Sequence, residues 1–292
     1  MPRLKHLLTF ARPYTLLLAG MTYTLGISIA RYLGRADNPL AFGLGFGWVI
    51  LVVMAMNLLA VYFRPHEERL IKDEPIQEQN WLRAAAFQLS VAALGVAAVI
   101  TVFLLQQNIT PTAFTFAAIL LVVAMLYALP PLRLVNSGFG EQILAAQIAA
   151  FVPAFSLALQ TGDVHRLLSA AITPIILLAI AYFLVLNFAT YKDDIKYERR
   201  TLLTRAGWER AVNLHHIIIF LAYFSLAAMP LLGLPSAIFF PLFYIAPLAL
   251  LQIFTLHRIS QGAPANWTFL TTLAASVIGL TIYIFIITFW IR

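Results

Sequence analysis

Nine runs of mostly apolar residues, over roughly 14–33, 40–63, 84–105, 111–129, 139–160, 169–190, 213–233, 236–256 and 268–291, constrain this chain more than any other feature. A hydrocarbon layer about 30 Å thick takes about 20 apolar residues to cross as an α-helix, which is the length of these runs. Spanning β-strands would be half as long and would alternate in polarity, and these Leu-, Ala- and Ile-rich stretches do not alternate. Of the 292 residues, 62% are hydrophobic and 11% charged, more apolar surface than a soluble core can absorb. The reading is an all-α membrane protein, a bundle of about nine transmembrane helices forming a single domain over residues 1–292. The first run starts at Thr15 without a cleavage site of small residues and is expected to persist as the first helix. The absence of cysteine removes disulfides, thiolate metal sites and cysteine nucleophiles together.

A net charge of +7 invites a nucleic-acid partner, but the placement of the cations excludes that reading. The N-terminus (Arg3, Lys5, Arg12) and the even-numbered loops collect 15 of the 19 Lys and Arg residues, leaving Arg31, Arg35, Arg166 and Arg292 for the other side. Lys and Arg accumulate in cytoplasmic loops, so the N-terminus is expected in the cytoplasm and the chain in the cell membrane as a multi-pass protein.

Carboxylates are gathered too. Glu67, Glu68, Asp73, Glu74 and Glu78 fall in the second loop, and Asp193, Asp194, Glu198 and Glu209 in the sixth, interleaved with cations. Carboxylates at a helix end can hold Mg²⁺ through one or two oxygens each. The metal then bridges phosphate oxygens while Lys and Arg take the remaining charge. The expectation is a diphosphate-binding mouth on the cytoplasmic face.

Three segments resemble the UbiA superfamily of membrane prenyltransferases. YALPPLR at 127–133 followed by GFGE at 138–141 is similar to a family element, with Arg133 left at the interface by the proline pair. YKDDIKYERRTLLTRAG at 191–207 resembles the family's second Asp-rich motif, with Glu198 where the family has Asp or Gly and an unusual Arg199-Arg200 pair. FARP at 10–13 and a count of nine spans fit as well. The first Asp-rich motif departs from the family: Asn57 stands in place, but Leu58, Val61 and Pro65 occupy its carboxylate positions. In the second half Asn187 is followed by Tyr191, Lys192 and Asp193-Asp194, and in the first half Asn57 is followed by Tyr62, Arg64 and Glu67-Glu68. The first acid pair lies four residues, about one helical turn, further from its Asn, so Glu67 and Glu68 are expected to replace the missing aspartates.

The resemblance implies transfer of an isoprenoid chain from a prenyl diphosphate to a lipophilic, quinone-type aromatic acceptor, with Mg²⁺ as cofactor. Asp193, Asp194, Glu198, Glu67 and Glu68 are then the candidate metal ligands, with Asn57 beside them. Lys192, Lys196, Arg64 and Arg133 are candidate diphosphate contacts, and Asp193 or Asp194 the proton acceptor. Tyr62, Tyr127 and Tyr191 are placed to shelter an allylic cation with their ring faces. Membrane lipids are expected around the bundle, with no nucleic acid and no obligate protein partner. Two alternatives stand beside this reading. One is a family member that binds isoprenoid lipids without turnover. The other is a transporter, against which the spans contain no acidic residue away from their ends.

Overall fold

The computed structural model describes residues 2–35, 38–71, 75–107 and 109–291. Lys72, Asp73 and Glu74 of the first acidic loop lie outside the described residues, as does Arg292. Among the described residues, nine helices are long and apolar enough to cross a membrane. The chain opens with a short helix, α1 (Pro2–Phe10), followed by α2 (Pro13–Tyr32), α3 (Pro39–Tyr62), α4 (Ile76–Gln106) and α5 (Pro111–Ala128). Then come α6 (Gly140–Thr161), α7 (Arg166–Lys196), the five-residue α8 (Leu202–Ala206), α9 (Trp208–Leu232), α10 (Ser236–Ser260) and α11 (Trp267–Ile291).

Local chemistry sets the helix starts. Asn38 accepts a hydrogen bond from the Ala41 N–H and Thr110 one from the Ala113 N–H, each followed by a proline at the first helical position. The spans sort into two classes by what they bury. In α2, α3, α6 and α7 61–72% of the apolar stretch is covered by protein, against 22–33% in α4, α5, α9 and α10. The first four form the core and the second four present mainly Phe, Leu and Val to lipid. Close approach in the core requires glycine at two places. A Cβ on Gly26 would stand 2.4 Å from the Pro153 carbonyl oxygen of α6, and one on Gly45 would stand 2.3 Å from the Tyr23 hydroxyl. Gly45 belongs to the GLGFG stretch of 43–47, which is therefore partly an internal packing surface.

Hydropathy cut two long helices short, each at an end that carries charged residues. α4 begins at Ile76 rather than near 84, so Arg83 is inside a helix, and α7 runs to Lys196 rather than 190, so Asp193 and Asp194 ride on its last turns. Each of these helices has 31 residues, a length of about 46 Å at 1.5 Å per residue, so each projects beyond the hydrocarbon layer. Backbone hydrogen bonding continues where apolarity stops, which is why a hydropathy edge underestimates the helix.

Candidate functional site

The charged end of the bundle is assembled from α1, the turn after α3, the segment between α5 and α6, and the end of α7 with α8. Arg83 of α4 organises the first of these. Buried at 6% exposure, it donates from Nη1 to the carbonyls of Tyr62 (3.2 Å) and Arg64 (2.6 Å), and from Nη2 to those of Pro65 (2.9 Å) and Glu68 (3.1 Å). Gln79, one turn nearer the start of α4, accepts from the Leu70 N–H at 2.9 Å. The turn is thereby pinned so that Arg64 and Glu68 face inward, with Arg64 Nη1 3.2 Å from Glu68 Oε1.

The other wall is built by the end of α7. Thr190 donates to Asp194 Oδ2 at 3.0 Å. At Glu198 the backbone takes φ 50°, which turns the chain so that the Arg199 N–H reaches the Asp194 carbonyl at 2.8 Å. The Arg199 carbonyl accepts from the Thr204 hydroxyl, and Thr201 and Thr204 form a reciprocal capping box at the start of α8. Glu141, at the start of α6, accepts from the Leu202 N–H at 3.2 Å and from the Asn187 amide, tying α6, α7 and α8 together.

Arg199 joins the two walls. Its Nη1 donates to Asp194 Oδ1 at 2.8 Å, while Nε (3.2 Å) and Nη2 form a two-pronged contact with the Glu68 carboxylate. Glu68 and Asp194 are each 2% exposed, so this guanidinium compensates two buried carboxylates. Burial acts to lower the Arg199 pKa, but hydrogen bonds and attraction from Glu68 and Asp194 outweigh it and raise it. Arg64 responds the other way. Burial brings it down to about 10, Glu68 opposes the fall, and the neighbouring Arg12, Arg199 and Arg133 add to it. Arg133 is lowered as well, first by burial, and its Nε has no hydrogen-bond partner.

A cavity of about 780 Å³ opens between these walls. Lys5, Arg12, Arg64, Arg133 and Arg199 line it against three carboxylates, Glu68, Glu141 and Asp194, leaving the wall two positive charges in excess. Deeper in, the lining is Tyr127, Leu144, Tyr182, Phe183 and Leu186. Among the described residues, the non-glycines with positive φ are Arg12 (54°), Arg133 (38°) and Glu198 (50°): two wall arginines and the residue preceding a third. Such a conformation costs about 1 kcal/mol or more per residue and clusters at functional sites.

Of the residues singled out from sequence, Glu68, Asp194, Arg64, Arg133 and Tyr127 line the cavity. The others are elsewhere. Glu67, Lys192 and Lys196 are exposed outside it, with Lys196 over the Tyr197 ring, and Glu198 lines a shallower outer groove. Asp193 is half-buried and not in the wall; Tyr62 packs on Phe63 and Phe87, and Tyr191 on Trp208. Asn57 is buried and donates to the Ala11 carbonyl at 3.0 Å, so it fixes the residue before Arg12 without lining the cavity. Sequence reasoning gave no site role to Arg12, Arg199, Arg83, Glu141, Asn187 or Tyr182. Arg12 beside the proline that opens α2, and Arg199 close to the acid pair, were the available signals.

Mg²⁺ at these carboxylates was the expectation, and the donor set does not fit it. Among the described residues no three acidic or histidine side chains converge on one point. Of the acids on the facing walls, Glu68 is occupied by Arg64 and Arg199, and Asp194 by Arg199 and Thr190. Without an accompanying anion, a divalent cation would enter a wall already in positive excess.

Fold and cavity together define a polytopic helical membrane protein with an amphipathic pocket, cationic at its mouth and apolar within. The sequence matches the UbiA prenyltransferase family over residues 19–276, and the chain belongs to that family. No curated protein matches it by sequence. Among solved structures it resembles a UbiA homolog from Archaeoglobus fulgidus bound to DMAPP and Mg²⁺, with a TM-score of 0.62 and 16% identity over 96% of this chain and 98% of that one. The same homolog bound to GPP and Mg²⁺ gives 0.62 and 16%, covering 97% and 99%. A digeranylgeranylglyceryl phosphate synthase gives 0.60 and 16%, covering 100% and 98%. At this identity the likeness concerns the fold.

Proposed function

We propose that the chain transfers a prenyl group from a prenyl diphosphate to a lipophilic acceptor within the cell membrane. The observation that carries this reading is one cavity with a cationic mouth and an apolar, tyrosine-lined interior, which matches an amphiphile with an anionic head and a hydrocarbon tail. Its volume of about 780 Å³ is that of a small-molecule pocket. Family membership and the prenyl diphosphates held by the A. fulgidus homolog support the assignment. The mouth lies at the end where the cation-rich loops gather, which the positive-inside rule orients toward the cytoplasm together with the N-terminus.

In this reading Arg12, Arg133 and Lys5 hold the diphosphate beside Arg64 and Arg199, which stay paired with Glu68 and Asp194, and the exposed Lys192 and Lys196 draw it toward the mouth. Heterolysis of the allylic carbon–oxygen bond sends the electron pair to the departing diphosphate, whose growing charge the guanidinium groups stabilise. Tyr127 and Tyr182 offer ring faces to the allylic cation. A nucleophilic carbon of the acceptor, a quinone-type aromatic ring, attacks and loses its proton to a wall carboxylate, Asp194 or Glu141. The products are prenylated acceptor, diphosphate and one proton. Asp193, Glu198 and Glu67 have no role in the wall and belong to the rim.

Purified protein in nanodiscs, given geranyl diphosphate and a panel of aromatic quinone precursors, should release diphosphate and yield a product heavier by the prenyl group less one hydrogen. Failure to bind prenyl diphosphate at all overturns the reading. The engagement of both facing carboxylates by Arg199 favours a second reading, an isoprenoid-diphosphate binder without turnover. Binding with no diphosphate release across the panel would select it.

A further inference from the structure

We propose that Arg199 stands in for a divalent cation, so that this mouth binds the diphosphate head of its ligand without metal. The inference rests on the reading that the cavity takes a prenyl diphosphate, and it specifies how the head is held.

A metal between two acidic walls has two tasks: joining their carboxylates and neutralising the phosphate. Arg199 performs the first, with two nitrogens on Glu68 of the turn after α3 and the third on Asp194 of α7. The guanidinium is a fixed part of the frame. The backbone N–H of Arg199 donates to the Asp194 carbonyl at 2.8 Å and the Arg199 carbonyl accepts from the Thr204 hydroxyl at 3.0 Å, while the next backbone N–H, of Arg200, donates to Asn136 Oδ1 at 2.8 Å. A planar fork with five donors suits two carboxylates meeting at an angle, a geometry a lysine cannot reproduce.

Charge balance assigns the second task. Glu68 and Asp194 are matched by Arg64 and Arg199, and Glu141 is engaged by the Leu202 N–H and Asn187. Arg12, Arg133 and Lys5 then remain on the wall for an anionic head. Among the described residues Arg133 Nε is buried without a partner, a donor in want of an acceptor. The sequence carries the same exchange. Leu58, Val61 and Pro65 stand where the resemblance calls for carboxylates, and arginines occupy 64 and 199.

The test is isothermal titration of the full chain in nanodiscs with geranyl thiolodiphosphate, and separately with inorganic diphosphate, in excess EDTA and in excess Mg²⁺. Affinities in the two arms should agree within about threefold, less than 1 kcal/mol on the logarithmic scale of affinity. Arg199→Ala should weaken binding in EDTA by about tenfold or more and make it respond to Mg²⁺, because Asp194 then loses its cation and Glu68 keeps only Arg64. Arg199→Lys, which keeps the charge, carries the test if the alanine variant does not fold, and should also bind more weakly in EDTA. Wild-type binding that needs Mg²⁺ overturns the inference and leaves prenyl transfer standing. Binding in neither arm overturns both. Variants that bind in EDTA as tightly as the wild type overturn the role of Arg199.

Discussion

The two walls of the mouth carry similar residues on differently supported turns. The turn after α3 is held from outside, by four carbonyl contacts to one arginine of the neighbouring helix and by Gln79 below it. The end of α7 is held by several separate ties, the turn at Glu198 and the Thr201–Thr204 capping box within its own segment and the Glu141 contacts from α6. A turn hung mainly on one group fails when that group is removed, whereas a turn with several separate ties loses them singly. The largest expected effect therefore comes from Arg83→Ala. It leaves four carbonyls without their donor, and even one charged hydrogen-bond partner lost from a buried site costs about 2 kcal/mol, so a loss of about 3 kcal/mol or more is expected. Thermal unfolding in detergent measures it, and Arg83→Lys should rescue it poorly because three donors on a flexible stem cannot reach four acceptors. An unchanged midpoint in Arg83→Ala would mean that the first turn has internal support after all.

The joint between the walls comes next. Glu68→Gln and Arg199→Gln, alone and combined, form a double-mutant cycle across the mouth. Residues in one buried ion-pair network couple by about 0.5–3 kcal/mol, and the two-pronged Arg199–Glu68 contact belongs in the upper half of that range. Unfolding free energies that add without coupling would show that the walls are held together by the surrounding helices and not by Arg199. The second wall should be less sensitive to its own ties. Thr201→Ala removes half of the capping box and should cost about 1 kcal/mol, well below Arg83→Ala, because Glu141 still engages Leu202.

Most of the fold could be read from apolar run lengths, because the hydrocarbon thickness sets the length a run must reach to cross the membrane, and counting such runs counts the helices. What hydropathy could not reveal is where polar residues continue a helix. Arg83 was assigned to a loop for that reason, and its part in shaping the mouth was hidden with it. The candidate site was legible where residue type alone suffices: Asp194, Glu68, Arg64 and Arg133 follow from acids and bases crowded at span ends. Partner choice was not legible. Arg199 reaches Glu68 across 131 positions, a pairing that periodicity cannot encode, so the acids suggested a metal where the fold supplies a guanidinium. Asn57 was singled out for its place at a span end, and its amide in fact turns to the Ala11 carbonyl, where it steadies the approach to Arg12.

The smallest effect is expected from the neighbour of the most constrained acid. Glu67 and Glu68 are adjacent and chemically alike, and sequence reasoning treated them as one pair. In the turn pinned by Arg83, Glu68 is 2% exposed and faces two arginines, while Glu67 points to solvent. Glu67→Ala should therefore change stability by no more than about 0.5 kcal/mol, as exposed substitutions away from special features do. It should leave geranyl thiolodiphosphate affinity unaltered, whereas Glu68→Ala strands Arg64 and Arg199 beside each other and should weaken folding and alter affinity together. Equal losses in the two variants would mean that the turn is free to present either acid to the cavity, and that the carbonyl contacts of Arg83 do not fix its register.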